Sequence, residues 1–590
     1  MGRGPSSVWK YFKKPNENNQ AQCNLCDRFL CSTNVTNLRK HIPARHRLVM
    51  NRESDSGATQ NSQESESVYS SRLQTLDTIF SRASLRGRDN SINKSIMGFI
   101  IKDNLPASAV DGEGLKSLIR DFFPLHQVMS RGTVTNTIDD MYHLLKSIKV
   151  EELEQASFIA LTSDLWTESY NHISYMGVTA HYLNPEGYLA SACLGCEPFE
   201  MSHTAVAIAK ELGSILEDWN ISKEKIVCMV TDGAANMSSA VSTALGPGKH
   251  FVCFAHRLNL VAKRAVEHVY HVEQVIGKVK AIAQFSHQSN LFADALRNAQ
   301  SSSEKKLKLV QSVETRWNST YAMIERFLIL FEAVTIASIR STRSPPVSIN
   351  QTERALLQEI RNLLAPLDDI TRILSSESQA TLSEVIPLTR GLKEDLNRVK
   401  TTSHDALIFK QALINAIEEK IGDPEKATIA TLATLLDPRL KLIDFKIPNC
   451  KSHALDKLNE IVTKNPVLVM ESLSQEPHQP IWPVHDNLAR QANSSYDVSS
   501  SLHTSIKHYL DKPILSRTID AIGWWNKQED DSIKSCALKY LFIPSTSVPC
   551  ERLFSKAGNI ITDKRSRLFK NRLSKILYLQ SLSIQELKQY

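Results

Sequence analysis

The chain has 590 residues, 42% of them hydrophobic, and carries a formal net charge of +7. That is enough apolar material for several domains with real cores. No apolar run approaches the roughly 18 residues that span a bilayer, and the basic start "MGRGPSSVWKYFKK" has no hydrophobic stretch behind it; these features exclude a membrane span and a signal peptide. A soluble protein made in the cytosol is expected, with its ten cysteines kept reduced and serving as metal ligands or packing residues.

The positive charge is concentrated in two zones. Residues 1–50 hold nine Lys or Arg against Glu17 and Asp27, and residues 552–575 hold eight against Asp563. Each zone is therefore +7, and the rest of the chain is mildly acidic. Two separated basic zones suit a polyanion engaged at two places.

In chain order, the first element is a metal module. Cys23, Cys26, His41 and His46 give C-x2-C, fourteen intervening residues, then H-x4-H. This spacing sets two thiolates on a turn and two imidazoles about one helical turn apart, as tetrahedral zinc requires. Upstream, Val8, Trp9, Tyr11 and Phe12 supply a small core. Asn34, Thr36, Asn37, Arg39 and Lys40 lie on a predicted helix that would offer polar side chains to base edges in a major groove. Residues 5–48 resemble a BED zinc finger, and the resemblance implies DNA binding. Some zinc modules bind proteins instead. A second pair, Cys193 and Cys196, would make another zinc site with Cys253 and His256; the alternation around it reads instead as a buried strand.

Residues 51–70 are Ser-, Glu- and Asn-rich with almost nothing to bury, which predicts a flexible tether. Apolar periodicity returns over 71–150 as several helices, assigned to DNA binding or dimerisation. Within it, Ser130 and Arg131 before Thr133 look like a helix start, with Arg131 as a DNA contact.

From 158 the pattern changes. Strand-like runs cover 158–166, 173–183 and 188–199, followed by a helix over 203–218 and another strand over 225–233. The order β-β-β-α-β is that of the RNase H-like fold. It sets Asp164 at or past the middle of the first strand and Asp232 at the end of the fourth. Either acid alone has an ordinary reading, as a turn cap or a strand-to-turn signal. Helical patterns then fill 257–300, 320–340, 352–375 and 382–422, and Glu551 stands at the start of a final helix. If the fold unites the three acids, they suit Mg²⁺ or Mn²⁺ and phosphodiester transfer.

The blocks "LTSDLWTE", "VTDGAANM", "CFAHRLNLV", "TRWNSTYAM", "WW" at 524–525 and "SVPCERLFSKAG" occur in the order seen in hAT-family transposases, and the resemblance runs to about residue 582. It implies a D-D-E site of Asp164, Asp232 and Glu551. It further implies a C-x2-H element at Cys253 and His256 near the active centre. An Arg-Trp element falls at Arg316 and Trp317, the Trp stacking on a flipped base during hairpin formation; core packing is the other reading of Trp317. It likens the 505–585 region, with Trp524 and Trp525, to an oligomerisation segment, although both could be core. Cys550 stands where the family usually has Ser. Arg552 opens a basic run that would neutralise phosphates beside the scissile strand.

The expected protein is a multidomain α/β chain: a BED zinc finger (1–50), linker (51–70), helical domain (71–150), and RNase H-like core (151–265). A large all-helical insertion (266–500) interrupts this core before its last part with the oligomerisation region (501–590). The expected function is cut-and-paste DNA transposition, with structural zinc and catalytic Mg²⁺ or Mn²⁺. The expected partners are double-stranded DNA, as transposon ends and target, and a homodimer or larger homo-oligomer, in the nucleus and away from membranes. The rival is a domesticated BED/hAT-derived transcription regulator; a SUMO ligase, a third reading, has no catalytic cysteine or RING spacing here. No G-x-S-x-G elbow or Gly-rich phosphate loop supports a hydrolase or an ATPase.

Overall fold

The computed structural model describes residues 12–13, 20–24, 29–31, 90–168, 172–300, 305–313, 317–376, 379, 381–464, 502–529, 531–561 and 572–589. The fold is mixed α/β and mostly helical. Among the described residues no helix is long and apolar enough to cross a membrane. The chain divides into two units: residues up to Glu151 together with those from Ile560 onward, and Glu152–Asn559.

In the first unit, β1 (Gln20–Gln22) pairs antiparallel with β2 (Phe29–Cys31), and Phe12 bridges Cys23. Phe12, Ala21 and Cys23 are buried, as expected of a small core beside the first metal-ligand position. Cys26, His41, His46, Asn34, Asn37, Arg39 and Lys40 lie outside the described residues, as does the 51–70 tether. Further along, the helix Arg131–Gln155 starts as its sequence suggests: the Thr133 amide donates to Ser130 Oγ at 3.1 Å. The C-terminal helix Leu573–Ser581 packs with it. Tyr578 donates its hydroxyl to the Leu145 carbonyl at 2.8 Å, and Gln580 donates to the Ile101 carbonyl at 3.0 Å. The end of the chain is thus folded onto the helices before Glu152.

The second unit holds a five-stranded sheet of β3 (Ile159–Thr167), β4 (Ser174–Leu183), β5 (Leu189–Pro198), β6 (Ile226–Thr231) and β7 (His250–Val252), ordered β5-β4-β3-β6-β7. β3–β4 and β4–β5 are antiparallel, whereas β3–β6 and β6–β7 are parallel. The parallel neighbours need crossovers, supplied by the helices Ala205–Asp218 and Ala235–Leu245. Thr204 caps the first by accepting from the Ala207 amide, and Gly246 ends the second at φ +93°, a conformation that strains any residue with a Cβ. β7 was not anticipated from the sequence.

The helices that follow bury stripes spaced by three and four. Gln351–Leu374 shows this best, with Leu356, Leu357, Ile360, Leu363, Leu364, Leu367, Ile370 and Leu374 inward and a capping box between Asn350 and Glu353 at its start. The run predicted over 382–422 is two helices, Val385–Arg398 and His404–Lys420, because Ser403 begins a new one by accepting from the Ala406 amide. Thr428–Leu436 is buried along nearly its whole length. The chain then returns through residues 541–547 to the helix Val548–Ile560, which lies on the sheet.

Candidate active site

One face of the sheet builds the site. Side chains alternate along a strand, so Ala160, Thr162, Asp164 and Trp166 of β3 share a face. Opposite them in the β4 register stand His181, Thr179, Gly177 and Tyr175. The helix Val548–Ile560 crosses this face. Cys550 Sγ lies 3.1 Å from Thr162 Oγ1, and Phe554 stacks on Trp166 with centroids 5.7 Å apart and planes 24° from parallel. A Cβ added at Gly177, directly across from Asp164, would come within 2.8 Å of the Phe554 ring. A glycine there lets the helix lie close on the sheet, and the charge of Glu551, in its first turn, acts on Asp164.

Asp232 directly follows β6, next to β3, and its Oδ1 accepts from the Ala234 amide at 3.3 Å. The three acids feel one another. Burial first, then the charge of Asp232, then that of Glu551, pushes the Asp164 carboxyl up to about 7, against one stabilising hydrogen bond from the Leu165 amide at 2.8 Å. A crowded, partly dry carboxylate group of this kind favours a proton or a cation. Its all-oxygen donor chemistry suits a hard divalent ion. Among the described residues, however, no group of three His, Cys, Asp or Glu is drawn together tightly enough to hold one.

The approach to Glu551 is held by residues that sequence reading passed over. Ser545, Thr546 and Ser547 are all buried. Ser545 shares a 2.8 Å hydrogen bond with Thr381 Oγ1, and its carbonyl accepts from the Phe254 amide at 3.0 Å. The Ser547 amide donates to Cys253 Sγ at 3.3 Å, while the Cys253 amide donates to the Thr231 carbonyl at 2.7 Å. Cys253 therefore ties the end of β6 to the entry of the Glu551 helix. His250 is a second omission. Its Nε2 lies 2.8 Å from Thr231 Oγ1, and burial lowers its pKa while Asp232 opposes that shift. Only a hydroxyl-rich "PSTSVP" run and a histidine before an apolar pair signalled these roles.

The comparisons bear on this geometry. Residues 6–47 match a BED zinc finger, 162–250 a ZBED1 RNase-like domain, 251–363 a ZBED1 RNase-like helical domain, and 505–583 the hAT family C-terminal dimerisation region. These matches make the chain similar to hAT transposases and their BED-finger relatives. It is 23% identical to human zinc finger BED domain-containing protein 4 over 83% of the chain and 43% of that relative. It is 24% identical to the putative AC transposase of Zea mays over 80% and 62%, respectively. It is 22% identical to the putative transcriptional regulator tpeD of Talaromyces stipitatus over 80% and 60%. The chain thus spans less than two thirds of the length of these relatives. The BED finger match implies structural zinc and points to DNA and the nucleus, and the dimerisation region points to a homo-oligomer.

Several residues expected to touch DNA in this chain are used otherwise. Cys253 is fully buried, so its thiol is an internal tie; His256 is partly exposed on the first turn of the helix Phe254–His268. Arg552 donates from Nη2 to the Ser375 carbonyl at 2.7 Å, which fastens the Glu551 helix to the end of Gln351–Leu374. Arg572 and Lys575 pair with Asp139 at 3.4 and 3.0 Å. Lys556 of the same basic run is exposed, and 562–571 lies outside the described residues. Trp317 is 7% exposed and packs in the helical core; its amide donates to Asn259 Oδ1 at 3.1 Å. It offers no open face for a base here, and Arg316 is outside the described residues. Arg131 is exposed at its helix start, free of the burial that removes Cys253. Trp525 is core, with Nε1 donating to the Leu436 carbonyl at 2.8 Å, while Trp524 is half-buried against Tyr509. Cys193 and Cys196 are buried on β5, and burial raises both thiols, as packing residues require.

Proposed function

We propose that this chain is a cut-and-paste DNA transposase built on an RNase H-like core, with Asp164, Asp232 and Glu551 as its catalytic acids. The supporting observation is that Asp164, lifted to about 7 first by burial and then by the charges of Asp232 and Glu551, feels acids from distant parts of the chain. Strand order and direction within the sheet agree with such a core. Drawn closer together than they stand here, the three carboxylates would hold Mg²⁺ or Mn²⁺, and two such ions would activate an attacking oxygen and stabilise a leaving one in phosphodiester transfer. The protein's own part is to hold these acids at the open end of β3 and β6. The BED finger, with Cys23, Cys26, His41 and His46 around zinc, recognises the element's ends through Asn34, Asn37, Arg39 and Lys40. Water attacks one strand, the freed hydroxyl forms a hairpin on flanking DNA, and the excised 3′ end attacks the target. The 505–583 region assembles the dimer or larger oligomer. Residues 1–50, 71–150, 151–265, 266–500 and 501–590 are the proposed working segments.

The test is strand cleavage of an end-bearing duplex with Mg²⁺ or Mn²⁺. Wild type should give nicked and hairpin products, and Glu551→Gln should give neither while still binding DNA. A domesticated regulator is the second reading, favoured by the name of the Talaromyces relative, a putative transcriptional regulator. Zinc-dependent binding without cleavage by wild type on its own ends would establish it.

A further inference from the structure

Behind the proposed acids lies a buried polar chain that no catalytic step uses. Thr162, Thr179 and Cys550 are 0%, 7% and 0% exposed, and His181 is 8% exposed. Cys550 Sγ lies 3.1 Å from Thr162 Oγ1, Thr162 Oγ1 2.6 Å from Thr179 Oγ1, and Thr179 Oγ1 3.0 Å from His181 Nε2. At the other end, the Cys550 thiol donates to the Gly177 carbonyl at 3.6 Å. A carbonyl only accepts, so the direction of every link is set. His181 Nε2–H donates to Thr179, Thr179 to Thr162, Thr162 to the Cys550 sulfur, and the thiol to Gly177. Each hydroxyl and the thiol then gives one hydrogen and receives one. Burial keeps His181 neutral, with its pKa lowered to about 4, so it can supply the single N–H the chain needs.

We infer that this chain from His181 through Thr179 and Thr162 to Cys550 is a positioning device that fixes where Glu551 sits over β3. The inference rests on the reading of Glu551 as a catalytic acid. Apolar contacts alone, such as Phe554 on Trp166, leave a helix room to slide or rotate on a sheet. Directional hydrogen bonds at the residue immediately before Glu551 remove that freedom. Thr162 is two residues from Asp164 on the same strand face, so one strand holds one acid and sets the place of another. His181, Thr179 and Thr162 are thus positioning residues, acting through Cys550. A serine at 550 preserves the pattern because its hydroxyl also donates once and accepts.

The test uses the full chain and compares wild type, Thr162→Val, Thr162→Ser, His181→Phe and a core control, Ile208→Val, by hydrogen exchange. Valine matches threonine in shape but ends the chain; serine restores it. Thr162→Val and His181→Phe should speed exchange across 548–555 by about tenfold, the size of one net buried hydrogen bond, with β6 unchanged. Thr162→Ser should stay near wild type. Ile208→Val, which weakens the core without touching the chain, should show no such local rise. Wild-type exchange at 548–555 in either Thr162→Val or His181→Phe overturns the proposal, as does an equal rise throughout the sheet. With a cleaving wild type, Thr162→Val should lower kcat about tenfold at unchanged KM for DNA, with serine restoring it; a change in KM alone also overturns it. A wild type that fails to cleave removes the transposase reading, and the exchange data still decide the positioning.

Discussion

Gly177 faces Asp164 across the β3–β4 ladder, and the Phe554 ring occupies the space that a side chain at 177 would need. The position of an acid on one strand and the absence of a side chain on the next are therefore one device. Gly177→Ala places a methyl 2.8 Å from that ring, against a sheet that cannot retreat. Overpacking of this kind costs about 1–3 kcal/mol, so the variant should unfold at lower urea. It should also lose cleavage more completely than its stability loss explains, because the Glu551 helix is what moves.

The raised pKa of Asp164 gives a sign for pH. Its folded value, about 7, lies above the ordinary value of 3.8, so the folded protein binds more protons than the unfolded chain between them. The resulting cost is absent below about pH 4, grows as pH rises, and is fully present above 7. Urea denaturation should show stability falling across that window. Asp164→Asn should flatten the fall, and at pH 8 it should be more stable than wild type. Mn²⁺ added at pH 8 should raise the midpoint of wild type and leave that of Asp164→Asn nearly unchanged.

Zinc removal should separate recognition from the core. Cys23 is buried beside Phe12, and Cys23→Ser removes a thiolate from the finger. Elemental analysis should find zinc lost and gel shifts should find DNA binding lost. The core's thermal transition should stay in place, because the finger belongs to the other unit.

Trp525 tests the reading of the "WW" pair. Its ring is 1% exposed and its indole donates to the Leu436 carbonyl. Trp525→Ala should destabilise the fold by about 3–5 kcal/mol, and Trp525→Phe by less. Trp524→Ala, half-buried, should cost the least. Denaturation followed by near-ultraviolet circular dichroism orders the three.

The strands were legible because their signal is local. β3, β4, β5 and β6 fall within about one residue of the predicted runs, except at the end of β6, which stops at Thr231 and not at 233, since alternation and β-branched content act over a few residues. β7 escaped because three residues after the Gly246–Gly248 turn carry no period. The basic run misled for a different reason. Arg552 and Arg572 read as phosphate contacts, but Arg552 donates to the Ser375 carbonyl and Arg572 pairs with Asp139, partners far off in the chain. Charge is visible in a sequence; the partner that a charged side chain meets in the fold is not. Trp317 likewise reads equally as stacking surface or core, and only packing distinguishes them.

The late arrival of the Val548–Ile560 helix has a consequence for biosynthesis. Residues 168–547 are all synthesised between the end of β3 and the start of this helix. Until then the nascent sheet presents Trp166, Gly177 and Thr162 without their cover. Any product cut short before that point lacks Glu551 and keeps an uncapped apolar face. The order of synthesis therefore makes premature termination a source of sticky fragments.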